Sequence, residues 1–241
     1  MLGGIERAFR ARRWAWIVAL TLLLLWEAVS FRSAVGGDWY RSGNDMVAIL
    51  AEARTATPAE VHDWIVGPWI GREIFVYYRP VTSLVMFAEY RLFGEHSAPW
   101  QAISLALHLG STALLALFIR RLFRSYTAGL VGALLWGFRD KMALAIEWTP
   151  AQTDLLAGFF ALLCLLALKL YLDERRWHWL LLAAPSGLLA MGSKEVALIL
   201  PLLITALALH AGTLPRKKLA ALLGTTWLVT LAFLLWRSHA L

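Results

Sequence analysis

The chain has 241 residues, a net charge of +7 and 60% hydrophobic residues, with a mean hydropathy of +0.62. This composition is too apolar for a soluble domain and is typical of a chain with membrane spans. Arg and Lys are concentrated in short loops beside the apolar runs, so the excess of positive charge indicates topology rather than nucleic-acid binding. The single cysteine, Cys164, excludes an intramolecular disulfide.

The apolar runs predict an all-α integral membrane protein with about seven transmembrane helices. The predicted spans are residues 14–30, 100–118, 126–138, 155–172, 177–192, 196–210 and 219–236. Several are shorter than the ~20 residues that cross a ~30 Å hydrocarbon core. The first is favoured as an uncleaved anchor over a signal peptide because further spans follow it. The third has an alternative, a bent helix that continues towards Trp148.

The chain divides into three predicted regions. Residues 1–30 form a cytoplasmic N-terminus and the first span, residues 31–96 an extracytoplasmic loop with amphipathic helices, and residues 97–241 a bundle of about six further spans. Within the loop, Thr57, Pro58 and Glu60 predict a capping box. A second loop helix is predicted over residues 80–93, ending at Gly94 and burying one apolar stripe. The predicted stripe comprises Val81, Leu84, Val85, Ala88 and Leu92.

Basic clusters occupy alternate gaps between the spans, which predicts that those gaps are cytoplasmic. The clusters are Arg7, Arg10, Arg12 and Arg13; Arg120, Arg121 and Arg124; Arg175 and Arg176; and Arg216, Lys217 and Lys218. We therefore expect a bacterial inner-membrane protein with a cytoplasmic N-terminus and, from the odd span count, an outer C-terminus. Because the chain ends soon after the seventh span, we also expect a truncated or split gene product that lacks a C-terminal portion or needs a partner subunit.

Asp38 is the candidate catalytic residue. It follows the first span closely and lies between Gly36-Gly37 and two aromatic residues. A carboxylate at the membrane surface can act as a general base towards a hydroxyl group. The alternative is a solvated loop aspartate, and Asp45 is the nearest competitor for the role.

The second span carries a stripe of polar residues at helical spacing. The stripe comprises Gln101, Ser104, His108, Ser111 and Thr112. Polar side chains in lipid are costly, so we expect this face to lie inside the protein. His108 is a candidate for substrate contact, with a packing hydrogen bond as the alternative. Glu27, near the outer end of the first span, is expected to pair with Arg32 or to line the cavity that holds the substrate.

Two predicted helix starts face outward. Thr149-Pro150-Ala151-Gln152 is interpreted as a capping box opening the fourth span, and Ser193-Lys194-Glu195 opens the sixth. Helix N-termini favour phosphate groups. Lys194 adds a full charge, and Arg79 is expected nearby. The alternative is a short turn with a helix cap and a local ion pair.

Short motifs in this order resemble the membrane part of a GT-C superfamily glycosyltransferase. The closest group is the protein O-mannosyltransferase-like one, which sometimes carries tetratricopeptide repeats. The matching pieces are Asp38, Tyr77-Tyr78-Arg79-Pro80, Tyr90-Arg91-Leu92-Phe93-Gly94, Leu105-Ala106-Leu107-His108, Trp148 with Gln152-Thr153-Asp154-Leu155-Leu156, and Ser193-Lys194-Glu195 followed by Pro201. Together they cover most of the chain.

The resemblance implies an enzyme that transfers a sugar from a polyprenyl-phosphate donor to an acceptor hydroxyl at the outer face. In such enzymes an acidic residue of the first outer loop is the base, which corresponds to Asp38. Basic residues hold the lipid phosphate, which corresponds to Arg79 and Lys194. Three further residues are predicted to bind substrate: His108, Asp154 and Glu195.

One element departs from the family pattern. The His-Pro-containing element usual after the third span is replaced by Phe138-Arg139-Asp140-Lys141. The predicted partners are the lipid bilayer, a polyprenyl-phosphate-linked sugar and an unidentified protein or glycan acceptor.

The sequence also leaves other classes of function as alternatives. One is another lipid-phosphate enzyme, and another is a small transporter or a structural membrane subunit without catalysis. Transport predicts ionisable groups near the bilayer midplane, whereas the polar residues here gather at the outer interface. No zinc-ligand spacing, phosphate-binding loop or dinucleotide fingerprint occurs. No cofactor is therefore predicted, and a divalent metal has no ligand pattern in its favour.

Overall fold

A computed structural model describes residues 2–11, 13–38, 43–71, 76–139 and 141–241, and these residues form helices without any strand. The α-helices are α1 (Leu2–Ala11), α2 (Arg13–Ser30), α3 (Gly43–Thr55), α4 (Pro58–Val66), α5 (Pro80–Phe93), α6 (Ser97–Phe123), α7 (Tyr126–Gly137), α8 (Met142–Glu147), α9 (Gln152–Glu174), α10 (His178–Ser193), α11 (Leu200–Ala211) and α12 (Arg216–Ala240). Helices satisfy their backbone hydrogen bonds internally, as hydrocarbon requires. The predicted all-α class is confirmed.

Among the described residues, four helical segments are long and apolar enough to cross a membrane. They are α2, α6, α12, and α9 together with the 3-10 turn Thr149–Ala151 before it. The other predicted spans correspond to α7, α10 and α11, of which the longest has 16 residues. At 1.5 Å per residue that helix measures about 24 Å, less than a ~30 Å core. The chain is an integral membrane protein, and four of the seven predicted spans are supported.

The chain divides into two compact units. The first comprises Met1–Met46 and His96–Leu155, and the second comprises Val47–Glu95 and Leu156–Leu241. Each unit therefore combines two stretches that are distant in sequence.

In the first unit, α6 and α7 approach each other closely at small residues. A Cβ atom added to Gly129 would lie 2.7 Å from the carbonyl oxygen of Ala116, so only glycine fits there. Trp16 and Leu20 of α2 are buried in the same cluster as Ala116 and Ala133. Small residues let membrane helices pack with their backbones close together.

The polar stripe of α6 faces the interior of the first unit, as predicted. Its five residues are all buried: Gln101, Ser104, His108, Ser111 and Thr112. Gln101, Ser104, His108 and Ser111 follow one another at three or four residues, and Thr112 lies four residues after His108, so the five share one face of the helix.

In the second unit, two predicted helix boundaries are confirmed. Thr57 caps α4: its hydroxyl oxygen accepts from the Glu60 N–H, and its own N–H donates to the Glu60 carboxylate at 2.6 Å. α5 covers Pro80–Phe93 and ends at Gly94, whose φ of 58° suits glycine.

The predicted apolar stripe of α5 is wrong. Two of its members, Leu84 and Leu92, are 38% and 73% exposed, and the buried residues are instead Thr82, Ser83, Met86 and Glu89. The Thr82 hydroxyl donates to the carbonyl oxygen of Ser193 at 2.9 Å. A buried polar group needs such a partner, whereas an apolar side chain can face lipid without cost, so hydrogen bonding selects the buried face.

Both predicted helix starts at the outer face are also corrected. The 3-10 turn Thr149–Ala151 precedes α9, and the buried Thr149 hydroxyl has no hydrogen-bond partner among the described residues, so it is no cap. α10 runs to Ser193, a 3-10 helix covers Glu195–Ile199, and α11 begins at Leu200. Proline is favoured in the first turn of a helix, where its missing N–H needs no partner, and Pro201 fits the later start.

Candidate functional site

In the first unit, the loop that carries Asp38 is fixed by the buried amide of Gln101. The backbone N–H groups of Gly36 and Gly37 donate to Gln101 Oε1 at 2.6 and 3.1 Å. Gln101 Nε2 in turn donates to the carbonyl oxygens of Gly37 and Glu147, each at 3.3 Å. The Gln101 side chain of α6 thereby ties the turn to α8. Asp38, which follows Gly37, is exposed.

The backbone conformation and a close contact both favour glycine in this turn. Gly36 has a φ of 92°, which side chains disfavour. A Cβ atom on Gly37 would lie 3.2 Å from Glu147 Oε1, closer than an ordinary contact. The turn is therefore confined between Gln101 and Glu147, which limits the positions open to the Asp38 carboxylate. Trp39 and Tyr40, the aromatic residues of the predicted motif, lie outside the described residues.

His108 lies on the same face of α6 as Gln101, two turns further on, about 10 Å along the axis. Its Nε2 is 2.5 Å from Glu27 Oε1 and 3.2 Å from the carbonyl oxygen of Gly137. Thr112 donates to the same Glu27 oxygen at 2.9 Å. All three side chains are fully buried. Glu27 thus pairs with His108 rather than with Arg32.

Asp154, the remaining candidate of the first unit, is exposed on the first turn of α9. The side chains around it in the chain, Gln152, Thr153 and Leu155, are buried. Asp154 is thus the exposed residue among these four.

In the second unit, Arg79 and Glu195 form an ion pair. Arg79 Nε and Nη2 donate to Glu195 Oε2 at 3.1 and 2.9 Å. The guanidinium carbon lies 5.1 Å from the ring centre of Trp69 and 4.2 Å from that of Tyr77. Aromatic faces attract a cation at such distances. Arg79, although charged, is only 8% exposed, so its orientation is fixed by these contacts.

Tyr78 supports the segment that carries Arg79. Its hydroxyl donates to the carbonyl oxygen of Ile65 at 3.0 Å and accepts from Trp236 Nε1 at 2.8 Å. Burial raises the pKa of this phenol, and the hydrogen bond from Trp236 opposes the shift. A neutral phenol at physiological pH serves here as a structural contact and not as a base.

Lys194 lies at the break between α10 and the following 3-10 helix. Its backbone is extended, and its side chain is half-buried. The hydrogen bond from Thr82 to Ser193 holds the break against α5. Gly192 also lies close to α5, since an added Cβ atom would be 2.8 Å from Val81 Cγ2. Lys194 therefore precedes the ion-paired Glu195 on a braced segment.

Among the described residues, one carboxylate oxygen of Glu195 has no hydrogen-bond partner. Glu195 Oε1 is buried and accepts no hydrogen bond from the described residues, whereas Oε2 accepts two from Arg79. A buried acceptor without a donor is unfavourable. This oxygen belongs to the carboxylate that pairs with Arg79, next in the chain to Lys194.

The described residues contain no group of three His, Cys, Asp or Glu side chains arranged to hold a metal ion. Sequence reasoning missed Gln101 as the support of the Asp38 loop, and it missed the aromatic faces around Arg79. The polar stripe was the available signal for Gln101, since it already marked that side chain as interior.

The family described as dolichyl-phosphate-mannose-protein mannosyltransferase matches residues 79–236, well over half of the chain. The chain belongs to this family. Membership in the dolichyl-phosphate-mannose-protein mannosyltransferase family supports a glycosyltransferase of the GT-C type, and the transporter and structural-subunit alternatives are not favoured. The matched range includes Arg79, His108, Asp154, Lys194 and Glu195, while Asp38 precedes it. No curated protein and no solved structure matches the chain significantly.

Proposed function

We propose that this chain transfers mannose from a polyprenyl-phosphate donor to an acceptor hydroxyl at the extracytoplasmic face of a bacterial inner membrane. The family match over residues 79–236 carries the proposal, since the family's description names a dolichyl-phosphate-mannose donor and a protein acceptor. The alternation of basic clusters supports the sidedness.

Arg79 and Lys194 of the second unit are the proposed binding site of the donor phosphate. A guanidinium has five N–H donors, and Arg79 directs two of its N–H groups to Glu195 Oε2. Its remaining N–H groups can bind phosphate oxygens, and Lys194 adds a second positive charge on the adjoining segment. Charge-assisted hydrogen bonds of this kind are about twice as strong as neutral ones.

Glu195 is assigned to the sugar of the donor. Its buried Oε1 needs a hydrogen-bond donor, and a phosphate without a proton cannot supply one. A sugar hydroxyl can. We therefore place a mannose hydroxyl against Glu195 Oε1, where it would satisfy this oxygen.

Asp38 is the proposed base. Its carboxylate accepts the proton of the acceptor hydroxyl while the hydroxyl oxygen forms a bond to the anomeric carbon of the sugar. The bond from that carbon to the phosphate oxygen breaks, and polyprenyl phosphate leaves with the electron pair. Attack opposite the leaving group inverts the anomeric centre. Positioning by Gln101 would keep the carboxylate oriented for proton transfer.

The test compares Asp38→Asn with Asp63→Asn, an exposed aspartate on α4. The full chain, assayed in membranes with polyprenyl-phosphate [3H]mannose, should lose about 10²- to 10⁴-fold in turnover with Asp38→Asn, because general-base catalysis supplies that much. Equilibrium binding of the donor should change little. Asp63→Asn should retain both properties.

Near-normal turnover with Asp38→Asn would contradict the role of Asp38 and would direct the same substitution to Asp45 or Asp154. Loss of donor binding together with turnover would show that Asp38 supports the fold instead. If the unsubstituted chain neither binds nor turns over this donor in its membrane, the proposed function itself is wrong.

A further inference from the structure

The second unit contains a cavity of about 540 Å³ between α9, α10, α11 and α12. Its walls are mostly apolar and include Leu168, Met191, Leu200 and Val229. Sites of 300 to 1,000 Å³ are typical of ligand pockets. The size and lining suit a hydrocarbon chain.

The side of the cavity formed by α12 is one helical face. The lining residues of this helix are Lys218, Ala221, Leu222, Thr225, Thr226, Val229 and Thr230. From the first to the last of them the helix rises by about 18 Å. The hydroxyls of Thr226 and Thr230 donate to carbonyl oxygens one turn earlier, at 2.8 Å each. These threonines therefore need no partner from a ligand, and the cavity remains suited to an apolar chain.

Lys218 is the one charged residue among the described side chains that line the cavity. It lies in the first turn of α12 directly after Arg216 and Lys217, and all three are exposed. Within the described part of the chain, Lys218 forms no ion pair. The charge is thus confined to one end of a long apolar cavity.

We infer that this cavity binds a phospholipid with an anionic head group, with its phosphate at Lys218 and one acyl chain in the cavity. Three adjacent cations complement an anionic head group and repel the positive choline of a zwitterionic one. Basic residues between membrane helices bind anionic lipid head groups in this way.

This lipid is distinct from the sugar donor of the proposed function. The donor phosphate is assigned to Arg79 and Lys194, and neither residue is among the described residues that line the cavity. Because the inference concerns binding alone, its test does not require an active enzyme.

The test uses native mass spectrometry of the full chain in detergent with added dioleoyl phosphatidylglycerol or dioleoyl phosphatidylcholine. We expect preferential retention of phosphatidylglycerol. Lys218→Gln should reduce this retention roughly fivefold, because one Lys near an anionic lipid surface contributes about that much. The matched control is Lys217→Gln, which removes the same charge from a residue outside the cavity lining and should have a smaller effect.

A second pair of variants tests the cavity itself. Ala221→Trp places an indole in the cavity and should abolish retention of phosphatidylglycerol, whereas Ala220→Trp adds the same side chain at an exposed residue outside the lining and should not. Equal retention of the two lipids, equal effects of the two lysine variants, or normal retention by Ala221→Trp would overturn the inference. So would polyprenyl phosphate that displaces phosphatidylglycerol and is itself lost with Lys218→Gln, since the cavity would then belong to the donor.

Discussion

Glu27 of α2 and His108 of α6 form a fully buried pair, with 2.5 Å between Glu27 Oε1 and His108 Nε2. Thr112 completes the cluster from the same face of α6. Glu27 Oε2 and His108 Nδ1 have no hydrogen-bond partner among the described residues, so the mutual contact is the main compensation for their burial.

We predict that removing one member of this pair destabilises the first unit more than removing both. Glu27→Leu or His108→Leu alone leaves a polar group buried without its partner, which typically costs about 3–5 kcal/mol. The Glu27→Leu/His108→Leu double variant should recover much of that loss. Unfolding of the full chain in mixed micelles, followed by circular dichroism, measures the free energies. Additive effects of the two substitutions would show that the residues are not coupled.

The features of this fold that could be predicted from the sequence are local. The polar stripe on α6 follows from helical spacing, and the cap at Thr57 needs residues only three positions apart. Such patterns give the face or the end of a helix correctly because the interacting groups share one element.

Contacts between distant segments could not be predicted in this way. Arg79 and Glu195 are 116 positions apart, and nothing in their local sequence specifies the pairing. The prediction of the buried face of α5 failed for the same reason. The hydrogen bond from Thr82 to Ser193 joins α5 to α10, and the sequence of α5 alone does not show it. The start of α11 was predicted too early because the sequence does not distinguish a 3-10 turn from the first turn of an α-helix.

The proposed role of Lys194 in donor binding is tested by Lys194→Ala. A charge-assisted contact is worth about 1.5–3 kcal/mol, so the affinity for a polyprenyl-phosphate sugar should fall about tenfold or more. Lys217→Ala, which removes an exposed cation of α12, is the control and should bind the donor normally. If a correctly folded Lys194→Ala variant binds the donor as well as the parent chain, Lys194 is only a turn residue.

The cap of α4 should weaken in acid. The pKa of Glu60 lies below its ordinary value because the backbone N–H and the hydroxyl of Thr57 both donate to its carboxylate. Because its pKa is lower in the folded state, the Glu60 carboxylate stabilises the fold at pH values above its ordinary pKa of about 4.3. This contribution is lost as the pH falls through the folded-state pKa. Amide exchange of α4, with intrinsic rates corrected for pH, should therefore be faster in Glu60→Gln than in the parent at pH 6. The difference should disappear at the lowest accessible pH, and a pH-independent difference would contradict the mechanism.

The sidedness of the membrane domain is tested with single cysteines in a Cys164→Ala background. Ser42, a natural choice in the first loop, lies outside the described residues, so the exposed Ser33 is the outer probe. Thr213, exposed beside the basic start of α12, is the inner probe. An impermeant maleimide applied to intact cells should label Ser33→Cys and spare Thr213→Cys until the membrane is permeabilised. The reverse pattern would place Asp38 in the cytoplasm and contradict the proposed site of transfer.

Gln101 is predicted to be a positioning residue for Asp38. Gln101→Leu keeps much of the buried volume but removes the acceptor for the N–H groups of Gly36 and Gly37. Proton transfer depends on orientation, and a displacement of about 1 Å can lower a rate by about 10²-fold. Turnover should fall by roughly that factor while equilibrium donor binding, assigned to Arg79 and Lys194, stays within about twofold.

Gly37→Ala should reproduce the defect more weakly, because its Cβ presses on Glu147 Oε1. Gly158→Ala is the matched control, since nothing lies within 4 Å of the added atom. A Gln101→Leu chain that is fully folded and turns over normally would show that the Asp38 loop does not need this amide, whereas equal losses of donor binding and turnover would show a general packing role.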